Sequence, residues 1–105
     1  MADHPGDTIH ATAIAVEGLA VLIRGPSGAG KSELALRCMM AGAWIGERHC
    51  RARLVADDRV SLRPCGLRLL ASAPAPITGR LEVRGVGLVE VEAAGETPVA
   101  AVVDL

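Results

Sequence analysis

The sequence predicts an α/β fold built on a P-loop (Walker A) core, with a mixed β-sheet and few helices. Three observations carry that prediction: the apolar run LAVLIR at Leu19–Arg24, the glycine-rich stretch that follows it, and the helical pattern of Lys31–Ala41. A short apolar run bounded by turn signals reads as a buried strand. In Lys31–Ala41 (KSELALRCMMA), Leu34, Ala35, Cys38 and Met39 fall on one face, and Gly42 supplies a helix stop. Between them, Gly25-Pro26-Ser27-Gly28-Ala29-Gly30-Lys31-Ser32 fits G-x-x-x-x-G-K-[ST] at every fixed position. The motif has mechanical content only between a strand and a helix, and here it has both. Its glycines let backbone N–H groups curl around phosphate oxygens at the positive end of a helix. Lys31 is then expected to reach the terminal phosphates, and Ser32 to offer its hydroxyl to a bridging Mg²⁺.

The remaining elements follow from local pattern. Met1–Thr8 is polar with Pro and Gly and reads as a tail; Ile9–Val16 is rich in β-branched residues and reads as a strand; Glu17-Gly18 is a turn. Ala43–Arg53 is basic, holds Trp44 and His49, and shows no period. Arg53–Ala56 is expected to be a short strand leading into Asp57-Asp58, with Arg59–Arg63 continuing it. Pro64-Cys65-Gly66 reads as a turn, Leu67–Ala71 as a return strand and Ala73–Pro76 as a loop. Leu81–Val91 has strand character interrupted by Gly85 and Gly87, and Pro98–Leu105 is an apolar strand. A chain of 105 residues makes one domain. Its apolar ending suggests a truncated core over residues 9–105, with an exposed edge at Val99–Val103 prone to association.

Composition excludes several classes. Half the residues are hydrophobic, yet there is no Phe or Tyr and a single Trp, so packing rests on aliphatic side chains. The net charge of −1 lacks the basic footprint of a nucleic-acid binder. No apolar run spans a bilayer and no signal peptide is visible, which points to a cytoplasmic protein. Cys38, Cys50 and Cys65 show neither disulfide nor zinc spacing. Ten of the eleven cationic residues are Arg, and the lone Lys is Lys31, where a compact ammonium suits phosphate. Downstream, LVADD at Leu54–Asp58 reads as a Walker B partner: one Asp for the metal shell, the other to accept a proton from an incoming hydroxyl.

Ile9-His10, the loop Gly25–Ser32, LVADDRV at Leu54–Val60 and LEVRGVGLVEV at Leu81–Val91 together resemble HPr kinase/phosphorylase. The resemblance implies a kinase that phosphorylates a serine of HPr, the phosphocarrier of the bacterial sugar phosphotransferase system, using ATP or pyrophosphate with Mg²⁺. It further implies reversal by phosphorolysis and a hexameric assembly. It assigns His10 to the active site, Lys31 and Ser32 to nucleotide and metal, Asp58 to the bidirectional base and acid, and Glu82 to the metal alongside Asp57. Arg84, Gly85 and Gly87 belong to a segment used in both directions, where Arg84 meets phosphoryl charge. Family members supply a further Arg and C-terminal elements beyond the equivalent of Leu105, so weak transfer and weaker phosphorolysis are expected of these residues alone. A small-molecule kinase and a non-catalytic nucleotide-binding module are the alternatives.

Overall fold

A computed structural model describes residues 7–74, 80–83 and 85–105. The chain opens with β1 (Asp7–His10), β2 (Thr12–Val16) and β3 (Leu19–Arg24), followed by one helix, α1 (Lys31–Met40). Then come β4 (Ala43–Ile45), β5 (Arg48–Cys50), β6 (Arg53–Ala56), β7 (Arg59–Cys65) and β8 (Arg68–Ser72). The hairpin β9 (Arg80–Val83) and β10 (Gly87–Glu90) precedes the last strand, β11 (Thr97–Asp104). Seven strands form the main sheet in the order β1-β7-β8-β11-β3-β2-β6, while β4–β5 and β9–β10 are separate two-stranded ribbons. The sheet is mixed, because β11 runs parallel to β3 while the other neighbours are antiparallel.

The strand expected over Ile9–Val16 is two strands broken at Ala11. β1 pairs with β7, whereas β2 lies between β3 and β6. The partner chain breaks at the same level: β6 ends at Ala56 and β7 begins at Arg59, so Arg59–Arg63 is a separate strand and not an extension of β6. Asp58, at φ 69°, makes the break, and Ala11 N–H donates to the Asp58 carbonyl at 3.2 Å. Two antiparallel strands thus change direction together, and the ends of the sheet are drawn toward each other through them.

That curvature gives the strands two buried faces. On the inner side, six of nine core residues are alanine (Ala11, Ala13, Ala15, Ala20, Ala56 and Ala71), joined by Leu22, Val55 and Val60. On the outer side, Ile14, Ile23 and Leu54 pack against Ala35 and Met39 of α1 and Leu81 and Val83 of β9. Alternation along β2 therefore appears as small against large rather than polar against apolar, and composition without Phe or Tyr becomes intelligible. Leu54 is fully buried, an environment worth about 1.5–3 kcal/mol for such a side chain. Its N–H donates to the Glu92 carbonyl and its carbonyl accepts from Ala94, so the 92–94 segment covers the outer edge of β6.

Two further segments differ from expectation. Pro64 and Cys65 belong to β7, paired with Leu69 and Arg68, and the turn is Gly66-Leu67. A proline fits there because, among the described residues, β1 reaches only Leu62 and leaves β7 without a partner on that side beyond it. The 43–53 segment, aperiodic in sequence, contains the β4–β5 hairpin, in which Trp44 faces His49. Beyond Pro98, β11 pairs with β3 alone among the described residues, and Val102, Val103 and Leu105 stay largely exposed.

Candidate active site

β3 delivers the chain into the glycine-rich loop and α1 carries it away. Gly28 (φ 85°) and Gly30 (φ 98°) hold left-handed conformations that a residue with a Cβ adopts only at a cost. Gly30 is the N-cap of α1, whose first internal bond runs from Leu34 N–H to the Gly30 carbonyl at 3.0 Å. Glu33 in the first turn and Arg37 in the last both complement the helix dipole. The helix ends at Met40 with Ala41 as C-cap. Gly42 (φ 72°) follows as the expected stop, its N–H and that of Ala41 both reaching the Arg37 carbonyl.

Lys31 is only 8% exposed. Its ammonium folds back over the loop and donates to the carbonyls of Gly25 (2.7 Å) and Pro26 (3.0 Å). An ammonium has three donors, so one remains for an anion at the mouth of the loop.

The loop opens on a cleft of about 420 Å³ lined by His10, Thr12, Ser27, Gly28, Gly30, Lys31, Ser32, Glu33, Asp57 and Asp58. Adjacent residues on a strand point to opposite faces, yet Asp57 and Asp58 both enter this cleft. The left-handed turn at Asp58 swings the second carboxylate back toward the first; Asp tolerates that conformation better than most residues. The two then part company. Asp57 Oδ1 accepts from Thr12 Oγ1 at 3.0 Å and from Ser32 Oγ at 3.3 Å. Asp58 Oδ1 lies 3.1 Å from His10 Nε2, in a pair whose side chains are 50% and 79% exposed.

Of the residues singled out in the sequence, the structure brings His10, Ser27, Gly28, Gly30, Lys31, Ser32, Asp57 and Asp58 to one cleft. Glu82 enters only through its place on β9, paired with Leu88, and Arg84 lies outside the described residues. Thr12 was missed. The available signal was its place two residues after His10 in a segment read as one strand, although the structure breaks that strand at Ala11.

Among the described residues no three His, Cys, Asp or Glu side chains cluster to hold a metal by themselves. The donor set nonetheless fits Mg²⁺, a hard cation usually held by one or two carboxylates, waters and substrate phosphates. The Ser32 hydroxyl and the Asp57 carboxylate stand 3.3 Å apart beside the loop. The three carboxylates in the cleft meet one ammonium that already serves two carbonyls.

A mixed sheet with one helix, entered through a glycine-rich loop on a central strand, defines an α/β domain of the HPr kinase type. The chain belongs to the family of the HPr Serine kinase C-terminal domain, whose model matches residues 4–101. It is 39% identical over 87 residues to an HPr kinase/phosphorylase of Clostridium tetani, covering 83% of this chain and 26% of that protein. A second HPr kinase/phosphorylase, from Exiguobacterium sp., is 42% identical over 88 residues, covering 83% of this chain and 25% of that one. Among solved structures, the Hpr(Ser) kinase/phosphatase from Coxiella burnetii superimposes with a TM-score of 0.76 at 26% identity, covering 93% of this chain and 58% of the other. The chain thus spans about a quarter of the length of the curated relatives it matches.

Proposed function

We propose that residues 9–105 form the catalytic core of a protein-serine kinase acting on the phosphocarrier HPr, with ATP or pyrophosphate as phosphoryl donor. The observation that carries this reading is the division of the two aspartates within one cleft. Asp57 is tied to the loop hydroxyl of Ser32, while Asp58 is tied to His10 and open to solvent.

In this reading the loop glycines and Lys31 bind the donor phosphates, and Ser32 and Asp57, with Glu82 from β9, hold Mg²⁺. When bound, the metal would neutralise charge on the donor phosphates. Asp58 accepts the proton of the attacking serine hydroxyl. The serine oxygen bonds to the terminal phosphorus as the bond to the leaving phosphate oxygen breaks. His10 orients the Asp58 carboxylate. In the reverse direction an oxygen of inorganic phosphate attacks phosphoserine. Asp58 then returns its proton to the serine oxygen, and pyrophosphate leaves. Arg84 meets the charge of the transferred group. HPr as partner, the role in carbohydrate regulation, a homo-oligomeric assembly and a cytoplasmic site of action follow from the family. No helix among the described residues is long and apolar enough to cross a membrane.

The test is incubation of the chain with purified HPr, labelled ATP and Mg²⁺. Phosphoserine on HPr is the expected product. Label on a small molecule, or nucleotide binding with no transfer at any enzyme concentration, overturns the proposal in favour of a small-molecule kinase or a regulatory module.

A further inference from the structure

His10, the last residue of β1, and Thr12, the first of β2, flank the break at Ala11 and face two consecutive aspartates, forming two rungs of different character. The outer rung, His10 with Asp58, is ionisable and half open to water. The inner rung, Thr12 with Asp57, joins a neutral hydroxyl to a carboxylate, and Thr12 is fully buried. A buried hydroxyl with one acceptor has a fixed direction, and its donor holds the carboxylate in one rotamer. Both hydroxyl donors recorded on Asp57, from Thr12 and Ser32, converge on the same oxygen, Oδ1. Oδ2 is the oxygen left for another partner.

We infer that Thr12 is a positioning residue for the metal: it holds Oδ1 of Asp57 so that Oδ2 faces the cation beside Ser32. In this role Thr12 acts through Asp57, the acceptor of its hydroxyl. A carboxylate held in this way has less freedom to lose when the ion arrives. It also keeps Asp57 from turning to His10, so the two aspartates do not exchange partners. The inference rests on the metal reading proposed above.

The test uses the 105-residue chain with Mg²⁺ and a non-hydrolysable ATP analogue, read by calorimetry and by the rise in thermal midpoint on binding. Thr12→Val, close in shape and lacking the hydroxyl, is expected to raise the Mg²⁺ concentration needed for half-maximal nucleotide binding roughly tenfold. Metal-free nucleotide binding should stay at the wild-type level. Thr12→Ser, which restores the donor, should return the Mg²⁺ dependence to near wild type. Should Thr12→Val fail to fold, Thr12→Ala carries the same comparison. Wild-type Mg²⁺ dependence in Thr12→Val, with Asp57→Asn impaired, overturns the positioning role and leaves the metal reading standing. Equal impairment in Thr12→Ser and Thr12→Val also overturns it, because packing and not the hydroxyl is then responsible. Wild-type Mg²⁺ dependence in both Asp57→Asn and Ser32→Ala removes the metal reading itself.

Discussion

The strands β3, β2 and β6 end in a cleft at each extremity, and the two clefts use charge in opposite ways. At the loop end, Asp57 and Asp58 are oriented by hydroxyls, a histidine and a left-handed backbone turn, which leaves acceptor oxygens open. At the other end a larger cleft, about 630 Å³, is lined by Glu17, Arg48, Cys50, Arg51 and Arg53. There Arg48 pairs with Glu17 at 3.1 Å, and Arg53 with Glu92 at 3.4 Å. Glu17 also accepts from the Cys50 thiol at 2.9 Å, which keeps that thiol protonated above its usual range. Volume favours the second cleft, while the oriented carboxylates of Asp57 and Asp58 lie in the first. The difference teaches that a site is marked by groups held in place without being neutralised.

The largest expected effect breaks this contrast at its centre. Asp58→Asn keeps a residue that tolerates the left-handed turn and removes the base. Transfer to HPr should fall by about 10²–10⁴-fold while nucleotide affinity and thermal midpoint stay near wild type. Arg53→Ala in the opposite cleft should leave transfer unchanged in the same assay. If the two variants lose transfer alike, the functional distinction between the clefts disappears.

Gly42→Ala gives an intermediate effect, and on stability. At φ 72° the added Cβ meets the Cys50 carbonyl at 2.6 Å, forcing apart the helix end and the β5 strand that floors the second cleft. The left-handed strain alone costs about 1–2 kcal/mol, so a clear drop in thermal midpoint is expected, with nucleotide binding retained by the folded fraction. Gly46→Ala, also left-handed (φ 62°) but in open space, should cost less.

The smallest effect concerns Glu96, on the segment walling the second cleft. Two hydrogen bonds from Arg63, at 2.7 and 3.0 Å, hold its carboxyl below the ordinary range. Its contribution to stability is therefore present above the unfolded value, about 4.3, and is lost as pH falls through the lower folded value. Glu96→Gln should melt slightly below wild type at pH 7, and the gap should close in acid. Both side chains are more than a third exposed, so the gap will be small. A gap that widens in acid contradicts this assignment.

What was legible in the sequence was local. β3, the loop, the body of α1 and β6 all lie where pattern placed them, because an apolar run, glycine spacing and helical periodicity are properties of neighbouring residues. The candidate site was legible as residue types: a phosphate motif and a pair of aspartates after a strand. Hidden from view was whatever depends on pairing at a distance. The break at Ala11 follows from Asp58, far along the chain, and Pro64 sits in a strand beyond the described pairing of β1, which reaches Leu62. Thr12 looked like one more β-branched strand residue until Asp57 was found across from it. Arg84 and the side chain of Glu82 lie outside what the structure describes, so those assignments rest on resemblance alone.

The parallel pairing of β11 with β3 has a consequence for how the protein is made. Arg24, the last residue before the loop, is locked to Asp104 by bonds of 2.7 and 3.0 Å between residues 80 apart in sequence. Its carbonyl also accepts from Leu105 N–H at 2.8 Å. At typical synthesis rates a ribosome needs about 4–16 s to add those 80 residues. Throughout that interval β3, which leads into the glycine-rich loop, lacks its β11 neighbour and presents an open flank. The nascent chain therefore acquires its glycine-rich loop early and the Arg24–Asp104 clamp late. A chaperone or a bound nucleotide would have most to protect in that interval.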